Sequence, residues 1–395
     1  MQEEGQPRPA KLRTALVVAS SPIAIAWLVG FNLRSVYLAT PPVLPAVRQD
    51  LGLSLGLAGF ISALPAVCLG LGAIPGAMLA NRYGVRRVIG VALAILALAA
   101  CVRALTPQPF WLLLGTFGLA SSIALIQPAL AAVMRTWFPH SVERASSLYT
   151  NGLSVGALLG ASLTPFLLVL MGWRATFVFW ALPAAAAALL WFRAAPVGGG
   201  REARPARLGL LARDPEVWRA AALFGTQNLI FTSAMTWIPF ILSGSRAGNV
   251  AFALLLLNLV VLVPTVLFAA VRWGYATSRP LYVLSGMAAL LGSIGLVVGV
   301  TAWVPVAAVL IGAGTGLVGI SAFALPPVRA RAPGDVAGYS ALMLTAGYAV
   351  AFTGPWLGGL IADRTNSFAI ALSPTIPAAL AMLVLGATIQ GSRRI

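Results

Sequence analysis

Charge is scarce in this sequence, and acidic charge most of all. Only 9% of its 395 residues are charged, and just nine of them are Asp or Glu, against roughly 25% charged residues in soluble globular proteins. So little charge could not cover the surface of a soluble protein of this length. A single histidine, His140, excludes a histidine-based metal site or catalytic triad. The two cysteines, Cys68 and Cys101, sit in apolar runs and offer neither a disulfide framework nor a CxxC metal site. They read as small buried hydrophobes. No HExxH is present and no histidine is placed to serve a nucleophile, so an intramembrane enzyme is not expected, nor any cofactor or metal.

Apolar residues are what the chain has in abundance. They make up 59% of it, and the mean hydropathy is +0.92. A helix needs about 20 apolar residues to span a bilayer. Cutting at charged and Pro/Gly-rich breaks gives twelve such spans, at 21–47, 54–80, 87–106, 109–134, 143–170, 174–192, 217–242, 248–270, 280–300, 303–327, 336–361 and 368–390. The expectation is an all-α integral membrane protein with both termini in the cytoplasm. The first span is too long for the apolar core of a cleavable signal peptide.

The net charge of +17 would suit nucleic acid, but its distribution argues otherwise. With both ends inside, twenty of the 26 basic residues fall in tails and loops on the cytoplasmic side. Only Arg48, Arg174, Arg246 and Arg364 fall outside, while Arg34 and Arg103 lie within spans. That bias is the signature of membrane orientation, and no nucleic-acid partner is expected.

The longest polar interruption, 193–216, contains Gly198-Gly199-Gly200 and reads as a cytoplasmic linker. It divides the chain into six spans over 1–192 and six over 217–395. The halves echo each other. Arg82-Tyr83-Gly84 is matched by Arg272-Trp273-Gly274, and Arg135 with Pro139 by Arg329 with Pro333, at offsets of 190 and 194 residues. Glycines four apart recur at Gly152, Gly156 and Gly160 and at Gly354 and Gly358, a spacing that lets helices approach closely.

The stretch Ala77-Met78-Leu79-Ala80-Asn81-Arg82-Tyr83-Gly84-Val85-Arg86 resembles the loop motif G-x-L-x-D-R-x-G-R-R/K of the major facilitator superfamily, and the likeness extends over nearly the whole chain. Asn81 stands where the motif has the aspartate that helps latch the cytoplasmic gate, which implies a weaker latch here. The runs Gly30–Ser35, Leu44–Ser54 and Gly354–Gly359, with Gln127-Pro128, Arg135 and Phe138-Pro139, are similar to the cyanate/nitroimidazole-transporter branch. The resemblance implies two pseudo-symmetric six-helix bundles around a central cavity opened alternately to either side. It also implies a bacterial inner-membrane location, with Asn81, Arg82, Gly84, Arg86, Arg135 and Asp335 forming the cytoplasmic gating motif. Asp335, at the start of span 11, could cap that helix or face Arg86 or Arg135.

Arg34 is the most informative single residue. Ser20-Ser21-Pro22 reads as a helix start, which places Arg34 about 18–20 Å along the helix, near the middle of the membrane. A charge there normally faces a cavity or a partner. Trp27, Gly30, Arg34, Tyr37 and Pro41 share one helical stripe, a plausible cradle for an anion. Arg103, near a span end, reads as snorkelling to the interface. Polar groups at middle depth include Asn32, Gln127, Gln227, Asn228 and Tyr348; the last four rank highest as cavity residues because of the family architecture. Pro41, Pro42 and Pro45 read as ending span 1, and Trp111, Trp173 and Trp303 as interface anchors. All nine carboxylates fall in tails, loops or helix ends, leaving no evident proton relay inside the membrane. These features point to a monomeric secondary transporter of a small anionic or polar solute. Drug efflux is the alternative within transport, and a channel or receptor the alternative outside it.

Overall fold

The computed structural model describes residues 22–105, 108–138, 140–195, 208–270, 278–329 and 335–389, and these are helical with no strand. The helices are α1 (Pro22–Leu38), α2 (Thr40–Leu51), α3 (Leu55–Tyr83), α4 (Val85–Leu105), α5 (Pro109–Trp137), α6 (Val142–Ala194), α7 (Leu208–Leu211), α8 (Pro215–Ile241), α9 (Ala247–Ala270), α10 (Arg279–Val297), α11 (Val304–Arg329), α12 (Val336–Thr365) and α13 (Thr375–Ala387). Much of the 193–216 segment, and Pro139, Arg272, Trp273, Gly274 and Pro333 of the repeat echoes, lie outside the described residues.

Twelve crossings follow from these elements. The first combines α1 and α2, broken at Ala39. Prolines occupy the first turn of α2, where a missing N–H costs least. Pro41 and Pro42 therefore restart the first crossing instead of ending it, and it runs on to Leu51. α6 supplies two crossings. Its 53 residues contain one non-helical position, Gly172, with φ 75° and ψ 171°, a backbone that favours glycine. Trp180 Nε1 donates to Thr164 Oγ1 at 2.9 Å, whereas a straight helix would hold residues 16 apart at about 24 Å. The two arms therefore fold back on each other. α8 and α12 are long but less apolar than their neighbours, being interrupted by Thr226, Gln227, Asn228 and Thr232 in one and by Thr345, Tyr348 and Thr353 in the other. Large apolar side chains such as Leu105, Val169 and Leu170 are more than 70% exposed. This suits a lipid surround and not water.

Glycine decides how the helices meet. A Cβ on Gly160 would lie 2.6 Å from the Ser35 carbonyl oxygen, and those on Gly152 and Gly156 would overlap the carbonyls of Trp27 and Phe31. α6 thus lies directly on the backbone of α1. Gly359 of α12 lies against Gly56 and the Leu55 carbonyl of α3 in the same way.

At this end of α3 the two halves of the chain are clasped. Asp363 Oδ1 accepts from the Leu55 amide at 2.8 Å and Oδ2 from the Gly56 amide at 2.7 Å, while Ser54 caps Leu57. A carboxylate on free amides at a helix start gains from both hydrogen bonds and the helix dipole. Phe60 meets Phe352 and Trp356 edge-on one turn deeper, and the joined stretch extends to Thr345 Oγ1 on the Gly70 carbonyl. Asp363→Asn should remove one of the two strong acceptors at a cost of about 1–2 kcal/mol, a roughly five- to thirtyfold shift toward separation at this end. Spin labels at Gln49 and Thr365 should report a larger share of long distances; an unchanged distribution would mean the clasp is incidental.

Two aromatic and charge expectations change here. Trp173 is only 7% exposed and donates to Asp50 Oδ2 at 3.2 Å, beside the Arg174–Asp50 ion pair at 2.7 Å. It fastens the α6 fold-back to α2 and is not an interface anchor. Trp111 and Trp303 are exposed as anchors would be. Arg103 does not snorkel either: it is 1% exposed.

Candidate functional site

Arg34 sits half-buried on α1, and no hydrogen bond or ion pair engages it among the described residues. Its guanidinium acts electrostatically on three phenols: Tyr37 one turn on, Tyr149 of α6 and Tyr348 of α12. Tyr149 has its carbonyl and ring against Gly30, where a Cβ would come within 2.7 Å of the oxygen and 2.9 Å of Cδ2. The gap in the Trp27–Gly30–Arg34–Tyr37 stripe is therefore filled by a ring from another helix. Tyr348 packs edge-on to Phe224 of α8, with centroids 5.2 Å apart. The charge of this one cation thus reaches two phenols of the first half and one of the second.

The other expected residues are dispersed. Trp27 stacks on Phe31 at 5.6 Å and donates to Asn151 Oδ1 at 3.0 Å. Asn32 is fully buried and donates to the Leu28 carbonyl of its own helix. Asn228 likewise bonds back to Phe224, the local pattern by which such side chains satisfy themselves on a helix. Gln227 is 6% exposed and packs over Gly319 of α11. Gln127 is half-buried on α5. No hydrogen bond links any of these amides to Arg34. Tyr149 was missed because nothing in its own neighbourhood of sequence marks it; only the glycine at position 30 hints that something must fill the space.

The motif between α3 and α4 is bound within its own half. Gly84 ends α3 at φ 85°, which explains a glycine there. Arg86 Nη2 donates to the Phe192 carbonyl at 2.6 Å and Trp191 Nε1 to the Arg86 carbonyl at 2.8 Å, so Arg86 closes a helix C-terminus and does not meet Asp335. Arg82 is exposed and lies over the Tyr83 ring. Asp335 occupies the start of α12, but its side chain makes no capping hydrogen bond, and among the described residues it has no ion pair. Asn81 and Arg135 lie on α3 and α5, with side chains outside the described set.

Comparison with known proteins gives this arrangement its family. The family model for the Major Facilitator Superfamily matches residues 24–352. The chain belongs to the major facilitator superfamily. Among curated members it is 26% identical over 351 residues to the cyanate transport protein CynX of Escherichia coli, covering 86% of this chain and 90% of that one. It is 25% identical over 377 residues to the 2-nitroimidazole transporter of the same organism, covering 92% and 94%. Solved major facilitator structures share the fold. The nucleoside transporter NupG superposes with a TM-score of 0.72 at 11% identity over 92% of this chain and 98% of that one. A bacterial homologue of the lysosomal transporter Spinster, inward-facing and occupied, gives 0.71 at 15% over 97% of each. The protein is thus a multi-pass major facilitator transporter of twelve helices, and neither its relatives nor its fold are those of an enzyme.

Proposed function

We propose that this transporter carries a small anionic or strongly polar solute, of the cyanate-like or nitroimidazole-like class, bound at Arg34. The observation that carries the reading is a mid-span arginine with no ion pair among the described residues and with three phenols, from both halves of the chain, within range of its charge. A permanently charged fork with open donors suits a planar or linear anion, and phenols add donors without adding charge. Tyr348 comes from the opposite bundle, so a bound solute would be held by both halves, and their rocking would expose it to alternate sides. In this reading the linker and termini face the bacterial cytoplasm, the Asp363 end faces outward and is closed, and the transporter works as a monomer.

Uniport or exchange fits better than proton coupling. None of the nine carboxylates lies in the interior of a span, and the one histidine is His140 at a loop, while arginine holds its proton at any physiological pH. Transport in proteoliposomes should therefore persist with no pH gradient and follow the gradient of the solute. For a charged solute moving alone, membrane potential should contribute about 2.3 kcal/mol per 100 mV. Labelled cyanate and a nitroimidazole would be the first solutes for counterflow. Uphill accumulation of an analogue ionised throughout pH 5–8, driven only by a pH difference, would overturn the uncoupled mechanism.

A further inference from the structure

Threonine inside a helix usually turns its hydroxyl to its own backbone. Thr226, Thr232, Thr236 and Thr315 all donate to the carbonyl one turn back. Thr345 on α12 does not. Its Oγ1 donates to the Gly70 carbonyl of α3, in the other half of the chain, at 2.8 Å. The missing side chain of Gly70 permits the approach. A Cβ there would lie 3.3 Å from both the Thr345 carbonyl oxygen and Tyr348 Cβ. Thr345 and Tyr348 therefore rest together on one bare stretch of α3.

Gly70 also marks where α3 parts from the second half. Gly56 and Gly59 face Leu360 and Pro355 of α12, whereas Gly72 and Gly76 face Ala124 and Leu125 of α5. Gly56 and Gly70 are 14 residues apart, about 21 Å of helix. The Thr345 bond thus stands at the inner end of the seam that Asp363 closes at the other. Tyr348, one turn along α12, touches Gly70 of the first half and meets Phe224 of the second edge-on. The bond is also easily broken and remade. A carbonyl has two lone pairs, so Gly70 can serve its own helix and Thr345 together. If α3 and α12 separate, the Thr345 hydroxyl can return to the Ala341 carbonyl one turn back. Neither group is then orphaned, so the bond favours the joined arrangement without locking it.

We propose that Thr345 is a positioning residue for transport: its bond to Gly70 seats Tyr348 at the cargo site only while the Asp363 end is shut. Cargo capture and closure then assist each other, because a ligand favours the arrangement that holds its contacts. The inference rests on the reading that cargo meets Arg34 and Tyr348, and adds the group that sets when Tyr348 is in place.

The test uses the full-length protein in lipid nanodiscs with spin labels at Gln49 and Thr365. Without cargo, Thr345→Val should raise the ratio of long to short distances roughly two- to tenfold, the weight of one ordinary hydrogen bond. Thr345→Ser keeps the hydroxyl and should match the parent. Binding of a labelled nitroimidazole should weaken with Thr345→Val and with Tyr348→Phe, and the double variant should bind no worse than Tyr348→Phe alone. A threonine with a merely structural role would give additive losses. Additive losses, parental affinity in Thr345→Val, or a Thr345→Ser protein that behaves as Thr345→Val would overturn the proposal. Arg34→Ala separates this inference from the cargo reading. If it binds as the parent does while Thr345→Val opens the cargo-free seam, the cargo site is misplaced and the Thr345 bond still governs closure. If it loses binding while Thr345→Val opens nothing, the cargo site stands and the role of Thr345 falls.

Discussion

Arg34→Ala is expected to lower affinity for an anionic cargo by roughly tenfold or more, since a hydrogen bond to a charged group is worth about 1.5–3 kcal/mol. Arg34→Lys should restore little, because a point charge cannot reproduce a flat, two-pronged donor. The comparison requires a folded variant, and the geometry favours one: Arg34 is half-buried and makes no hydrogen bond to the described residues around it, so its removal strands no partner there. Equilibrium binding of labelled cyanate or nitroimidazole, read beside the unfolding midpoint, measures both. If Arg34→Ala binds as well as the parent, the arginine is structural and the cargo lies elsewhere. Tyr348→Phe supplies an internal scale. Loss of one neutral donor should cost less than loss of the charge, about 0.5–1.5 kcal/mol.

The second large effect concerns folding. Gly156→Leu should prevent the first bundle from assembling, because even the first carbon of the new side chain would overlap the Phe31 carbonyl. Overpacking a fitted interior costs about 1–3 kcal/mol when neighbours can yield, and more when they cannot. Here the neighbour is helix backbone, and Gly152 and Gly160 hold the same pair of helices in register. Gly248→Ala is the matched control. No atom lies within 4 Å of a Cβ there, so that variant should be neutral or slightly stabilising. Fluorescence-detected size exclusion after mild heating distinguishes them; a monodisperse Gly156→Leu protein with the parent's midpoint would refute the close α1–α6 contact.

Features that depend on chain-local physics could be read from the sequence. Twelve crossings follow from the length of apolar runs, and the glycine spacing of α6 announces a close helix contact because spacing alone puts glycines on one face. What the contact was with could not be read. Arg103 looked like a snorkelling side chain because depth was counted along its own helix, whereas the Phe177 ring under its guanidinium, the Thr40 hydroxyl it donates to and the Gly115 that makes room for its stem belong to three others. Trp173 looked like an anchor for the same reason, since its partner Asp50 lies 123 residues away. In the candidate site, Tyr37 and Tyr348 lie within range of the Arg34 charge, while Asn32 and Asn228 turned to their own helices. A lone amide can always find the carbonyl one turn back, and sequence does not say whether it will.

The clasp at Asp363 has a lopsided inheritance. On one side it depends on a single codon; on the other it uses main-chain amides that every residue except proline possesses. Positions 55 and 56 can therefore drift without loosening the clasp through lost hydrogen bonding, although Gly56 stays constrained by the packing of Gly359. Selection for a looser clasp has one address on α12 and almost none on α3. A lineage that shifts its balance between the two facing states would carry the record of that change at one position, opposite a helix start that kept its donors throughout.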